Sequence, residues 1–194
     1  VSDKPMNYDG KISMQPKLDG VRCLIQYSVW HESPDKPRVI AYSRTGKEWK
    51  NIDHILFNLE PWFALNPNVI LDGELYNHDL KDDFEKIISL VRKTKPTEQD
   101  RLESADLVQF HCYDIIDETK TFEERNDFIK QAVPRNHCIK HLITLHVSDE
   151  FSAKTAHQIN LDAGYEGSIL RTNDVYKCGR SWNLRKFKDF HDDE

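Results

Sequence analysis

The sequence predicts an α+β domain, with helices inserted between the strands of antiparallel sheet. Three observations carry that prediction. Runs rich in β-branched and aromatic residues recur along the chain and are bounded by turn residues. Between them lie stretches whose apolar residues repeat with helical period. The order of these pieces lacks the regular strand–helix alternation of a doubly wound parallel sheet. With 4 Trp, 7 Tyr and 9 Phe among 194 residues, the chain has enough large apolar side chains to offset the entropy of ordering.

Val21–Trp30 reads as a strand entered through a tight Asp19-Gly20 turn. Pro34, Asp35 and Pro37 mark a loop, and Arg38–Arg44 returns as the partner strand of an antiparallel hairpin. Asn51 is placed to cap a helix over Ile52–Leu59, with Ile52, Ile55, Leu56 and Leu59 on one face. Val69–Tyr76 is a strand containing a glycine, followed by a helix over about Asp82–Arg92 with Phe84, Ile87, Ile88 and Val91 as its stripe. Leu107–Ile116 is the next strand. Thr121-Phe122-Glu123-Glu124 has capping-box spacing and starts a helix reaching Ala132, before Pro134. Ile143–Val147 is a short strand, Ser152–Ala163 a helix stopped by Gly164, and Gly167–Arg171 and Leu184–Lys188 the last strands.

Composition narrows the function. No apolar run reaches the roughly 18 residues of a membrane span. The opening Val1-Ser2-Asp3 reads as a processed or truncated start, without a basic-then-apolar leader. A net charge of −6 excludes a uniformly basic, histone-like binder. That charge is segregated, however. Arg171 to Lys188 holds six cations against one acid, whereas Glu98 to Asp127 holds ten acids against three cations. Phosphate responds to the local field, so the total is a poor guide to nucleic-acid binding. Cys23, Cys112, Cys138 and Cys178 are widely spaced and read as free thiols in a reducing compartment.

Glycine is scarce, with only seven residues, so its neighbours are informative. Gly20, Gly73 and Gly167 each follow an acid, in Lys17-Leu18-Asp19-Gly20-Val21-Arg22, Asp72-Gly73-Glu74 and Glu166-Gly167. Lys186 and Lys188 stand two apart, which on a strand aims both ammonium groups at one face. Each piece alone is ordinary: a hairpin turn, a bulge, a charged sheet edge. Their order along one chain is not. Three other polar clusters read as structural: His137-Cys138-x-x-His141 as a loop lacking a fourth zinc ligand, Arg125 as a helix-face cation bridging to acids, and Asp79, Asp82, Asp83 and Glu85 as a solvated helix start.

Taken in order, Lys17-x-Asp19-Gly20-x-Arg22, Ser43-Arg44, Asp72-Gly73-Glu74, Tyr113-Asp114, Glu166-Gly167 and Lys186-x-Lys188 resemble the motifs of the covalent nucleotidyltransferase superfamily. QPKLDGVRC, LDGELY, YEGSILR and FEKIISLVRK look most like an ATP-dependent DNA ligase, in the small form that phages and other viruses carry. The resemblance implies a nucleotidyltransferase (ATP-grasp-like) adenylation domain over residues 1–188, with 189–194 starting a linker to an OB-fold domain that is not in this sequence.

The resemblance also implies roles. Lys17 is the nucleophile that takes AMP from ATP. Lysine attacks only as the neutral amine, so a pKa of roughly 10.4 must fall, and the nearby cations and magnesium would lower it. Lys186 and Lys188 hold the α-phosphate, and Arg22 and Arg44 contact ribose and phosphate. Glu74 accepts from the ribose hydroxyl, Tyr113 stacks on the purine where most relatives have Phe, and Gln15 meets the adenine amine. Asp19 and Glu166 hold Mg2+, mostly through its water shell. The partner is nicked duplex DNA, the protein a monomer. Its compartment is the cytoplasm of a phage's bacterial host, or the nucleus for a eukaryotic virus. Two other readings share these residues: an RNA ligase or mRNA capping guanylyltransferase core, and an inactive nucleic-acid-binding remnant.

Overall fold

A computed structural model describes residues 6–28, 38–179 and 181–187. The chain divides into two compact units, Val1–Leu18 with Glu118–Glu123 and Ile143–Glu194, and Asp19–Asp117 with Glu124–Leu142. Each contains one sheet among the described residues. The α+β prediction holds.

The first unit carries β1 (Ile12–Lys17), β7 (Leu145–Val147), α5 (Glu150–Asp162), β8 (Gly167–Thr172) and β9 (Leu184–Phe187). Its sheet runs β7-β1-β8-β9, all antiparallel. Successive strand residues point to opposite faces. Ile12, Met14 and Leu170 thus bury one face together with Ala153 and Ala156 of α5, while Gln15 and Lys17 take the other. Helix α5 begins in a reciprocal capping box between Asp149 and Ser152.

The second unit carries β2 (Val21–Tyr27), β3 (Val39–Tyr42), α1 (Asp53–Leu65), β4 (Ile70–Tyr76), α2 (Phe84–Val91), α3 (Glu98–Leu107), β5 (Gln109–Ile115), most of α4 (Phe122–Ala132) and β6 (Ile139–His141). Its sheet runs β3-β2-β4-β5-β6. One face is a large apolar core, with Cys23, Ile25, Leu71, Leu75, Phe110 and Cys112 packed with Ile55, Leu59 and Phe63 of α1. The other carries Arg22, Asp72 and Glu74.

Several expectations shift. Asn51 is not the cap of α1. It adopts a left-handed φ of 57°, and its side-chain amide donates to the carbonyls of Leu90 and Asp100 at 3.1 Å each. Helix α1 continues past Leu59 through Pro61 to Leu65. Strand β1, helix α3 and strand β6 were not anticipated, and β6 pairs with β5 in parallel, the one departure from an antiparallel pattern among the described pairings. The loop at Pro34–Pro37, Trp30, Lys188 and the linker at 189–194 lie outside the described residues. Cys23, Cys112 and Cys138 are buried and Cys178 is exposed, all four as free thiols.

Candidate active site

In the first unit, Lys17 closes β1, opposite Gly167 at the start of β8. Its side chain is 18% exposed, and its ammonium donates to the carboxylate of Glu166, the residue before β8. Gln15, Ile169 and Lys186 occupy one row across β1, β8 and β9. Opposed residues in antiparallel strands share a face, so Lys17, Gln15 and Lys186 stand on the face that α5 does not cover. The face beneath them is fastened by a buried network: His157 Nδ1 lies 3.0 Å from Ser168 Oγ, and Asn160 donates to the same hydroxyl at 2.8 Å. His157 also meets the Phe187 ring edge to face. Strands β8 and β9 are therefore both held from α5.

Gln15 is 1% exposed and Arg171 8%. Arg171 Nε donates to Gln15 Oε1 at 2.6 Å, and Gln15 Nε2 donates to Thr144 Oγ1 at 2.9 Å. The Arg171 guanidinium lies over the Phe122 ring, 4.9 Å from its centroid. None of Arg171, Thr144 or Phe122 was singled out for a role from sequence.

In the second unit, Asp19 and Gly20 lead into β2. A methyl group on Gly20 would sit 2.5 Å from the Leu75 carbonyl and 2.7 Å from Glu74 Cγ, so only glycine lets this turn lie against β4. Arg22 stands opposite Glu74 and binds Asp72 through two parallel hydrogen bonds, Nε to Oδ1 at 2.9 Å and Nη2 to Oδ2 at 2.8 Å. Gly73 is equally constrained, since a Cβ there would meet the His111 carbonyl and the Phe110 ring at 2.5 Å. The β4–β5 register shifts between Asp72, opposite Asp114, and Gly73, opposite Cys112. Tyr113 is the extra residue of that bulge, half-buried and outside the ladder pairing. Arg44 is exposed in the tight turn after β3, which Ser43 and Lys47 close with a 2.7 Å backbone hydrogen bond.

The predicted residues thus fall into two groups. Gln15, Lys17, Glu166 and Lys186 belong to the first unit, whereas Asp19, Arg22, Arg44, Glu74 and Tyr113 belong to the other. Opposite Asp72 in the same sheet, Asp114 forms a buried ion pair with Arg125, Nε to Oδ1 at 2.7 Å, which bears out Arg125 as a structural cation. His111, opposite Glu74, is pushed down to about 3, first by burial and then by Lys140 and His78. Burial pushes the Cys23 and Cys112 thiols well up, with carboxylates nearby adding to it, so both are chemically quiet.

No group of three or more His, Cys, Asp or Glu comes together as a metal cage among the described residues. Cys138 is 3.3 Å from Asn136 Oδ1 and His141 Nε2 is 3.1 Å from the Val133 carbonyl, so the His137-Cys138-x-x-His141 segment makes local structural contacts. Asp83 caps α2 by accepting from the Lys86 amide. Among the described residues no helix is long and apolar enough to cross a membrane.

No curated protein matches the chain. Solved structures do. A Lig E DNA ligase, described as binding DNA with a minimal scaffold, is 21% identical at a TM-score of 0.66, over 95% of this chain and 64% of that one. The ATP-dependent DNA ligase of bacteriophage T7, in complex with ATP, is 16% identical at 0.67, over 93% and 62%. The DNA ligase-adenylate of Chlorella virus is 19% identical at 0.62, over 93% and 61%. At such identities these likenesses establish the fold, and the chain spans less than two thirds of each of these relatives. Residues 4–188 match the model of the ATP dependent DNA ligase domain, which covers nearly all of the sequence, and the chain therefore belongs to that family.

Proposed function

We propose that this chain is the adenylation domain of an ATP-dependent DNA ligase that seals nicks in duplex DNA. Lys17 Nζ attacks the α-phosphorus of ATP, a P–N bond forms, and the P–O bond to pyrophosphate breaks. The AMP then passes from Lys17 to the 5′-phosphate of the nick. Attack by the 3′-hydroxyl closes the strand and releases AMP.

The observation that carries this reading is the setting of Lys17. It stands at a strand end, its side chain mostly buried, with a carboxylate partner in Glu166 and Lys186 on the same sheet face. A lysine kept only for solubility would extend into water. Lys186 and Lys188 are assigned to the α-phosphate oxygens, whose charge grows during displacement. Arg22, locked to Asp72, and Arg44 are assigned to ribose and phosphate, Glu74 to the ribose hydroxyl, Tyr113 to the face of the purine and Gln15 to its amine. Asp19 and Glu166 are assigned to Mg2+, as carboxylates of the kind it takes. When bound, that ion would neutralise phosphate charge. We assign residues 1–188 to the adenylation domain and 189–194 to the start of a linker. The cations that orient pyrophosphate are assigned to an OB-fold domain outside these 194 residues.

Label transfer from α-labelled ATP with magnesium, followed by mass spectrometry of the protein, tests the reading. The 194-residue chain should acquire AMP on Lys17 slowly, Lys17→Ala should acquire none, and nicked DNA that already carries the 5′-adenylate should be sealed in preference to nicked RNA. Label on the Lys17→Ala protein would sink the nucleophile assignment. Rapid labelling of the wild-type chain would refute the dependence on a further domain.

A further inference from the structure

We propose that Arg171 is a positioning residue that fixes the amide of Gln15 with its carbonyl oxygen as the group a purine meets. It thereby selects a base with a 6-amino group over one with a 6-oxo group. The proposal rests on the reading of Gln15 as the base-contacting residue.

A primary amide has two ends of nearly the same shape and opposite hydrogen-bonding character, an acceptor oxygen and a donor NH2. Read by itself, Gln15 is indifferent between adenine and hypoxanthine, because a half-turn about its last bond exchanges the two ends. Thr144 does not settle the matter, since a hydroxyl both donates and accepts. Arg171 does. A guanidinium has only donors, and its Nε reaches Gln15 Oε1 at 2.6 Å. Turning the amide over would set NH2 against N–H in a place where both side chains are more than nine-tenths buried.

The guanidinium is itself fixed. Arg171 lies two residues along β8 from Ile169, the register partner of Gln15, so the two side chains are diagonal neighbours on one sheet face. The guanidinium lies over the ring of Phe122, which is 2% exposed, 4.9 Å from its centroid. A carbonyl oxygen accommodates two donors, so Arg171 and a base amine can share Oε1. A 6-oxo base would bring a second acceptor to the same oxygen.

Equilibrium binding of AMP and IMP tests this, because the two nucleotides differ only in the 6-substituent and in the proton that the 6-oxo form carries on N1. The wild-type chain should bind AMP roughly 10-fold more tightly than IMP or better, as expected for one buried hydrogen bond against an acceptor clash. Arg171→Met should bring the two affinities to within about threefold. Arg171→Lys, which keeps a charged donor, should restore part of the preference. Phe122→Leu leaves Arg171 in place and removes its platform. It should lower the preference by about threefold, and it serves if Arg171→Met fails to fold by circular dichroism. An undiminished AMP preference in Arg171→Met, or in Phe122→Leu where only that variant folds, overturns the proposal, as does equal binding of AMP and IMP by the wild type. Failure of the adenylation reading looks different: the wild type would bind neither nucleotide and take no label on Lys17.

Discussion

The two units support their site residues by different physical means. In the second unit the sheet lies on a large apolar core, and its polar face is organised by ion pairs: Arg22 with Asp72, and Arg125 with Asp114. In the first unit the apolar cluster is small, and the sheet is fastened by neutral or singly charged hydrogen bonds, Gln15 with Arg171 and Thr144 on the face of Lys17, and Ser168 with His157 and Asn160 on the face of α5. A buried ion pair fails badly when one partner is removed. Hydrogen-bonded strands lose less when a contact is lost.

The sharpest way to break the contrast is to open the Arg125–Asp114 pair, whose side chains are 4% and 1% exposed. Arg125→Met removes the cation from the buried Asp114 carboxylate, to which the amide of Ile115 still donates at 2.9 Å. The expected cost is about 3–5 kcal/mol, read as a fall in the urea midpoint. Pairing that change with Asp114→Leu should recover much of the loss, since an apolar pair leaves no stranded charge. A single Arg125→Met variant as stable as wild type would mean that the second unit does not depend on its ion pairs.

A smaller effect comes from pH. Folded His111 is held near 3 mainly by burial, against about 6.5 in an unfolded chain. Below pH 6.5 the unfolded chain therefore binds a proton that the folded chain refuses, and stability falls as pH drops from 6.5 toward 3. At pH 5 the loss amounts to about 2 kcal/mol relative to pH 7. His111→Gln removes the titrating group, so urea midpoints of the two proteins should converge by that amount between pH 7 and pH 5. Parallel pH profiles would show that His111 is not the group responsible.

Both predictions concern the unit whose architecture was easier to read. Its strands are long and its helices α1 and α2 carry clear apolar stripes, so α1, α2 and β2 to β5 stand out from the sequence. Helix α3 does not, because Ser104 is its one buried residue and its start signal is a Thr97–Asp100 capping box without an apolar face behind it. The three-residue β6 owes its existence to parallel pairing with β5. In the first unit, β1 was hidden by Pro16, which argues against a paired strand although it sits opposite Ser168 here. The motif residues were legible because glycine and carboxylate spacing is set locally. Arg171 was not, because its bond to Gln15 spans 156 residues and only strand register brings the two together. Asp72 gave a related signal, a carboxylate one glycine from Glu74, but its partner Arg22 emerges only from the β2–β4 pairing.

The least costly change should be the one that tests the first unit's hydrogen-bonded fastening. His157→Leu keeps most of the side-chain volume against Phe187 and removes the bond to Ser168 Oγ. Ser168 retains a partner, since Asn160 still donates to its hydroxyl at 2.8 Å, so no buried oxygen is stranded. That redundancy limits the expected loss to about 1 kcal/mol, the net worth of one hydrogen bond. It is a fraction of the Arg125→Met cost, although His157, at 3% exposed, is as deeply buried as Arg125. Equal losses at the two sites, measured by the same urea titration, would mean that burial alone sets the penalty. The distinction between ion-pair and hydrogen-bond support would then disappear. A small loss at His157 beside a large one at Arg125 would instead locate the difference in what each deletion leaves behind, a buried carboxylate without its guanidinium in one unit and a hydroxyl that still accepts from Asn160 in the other.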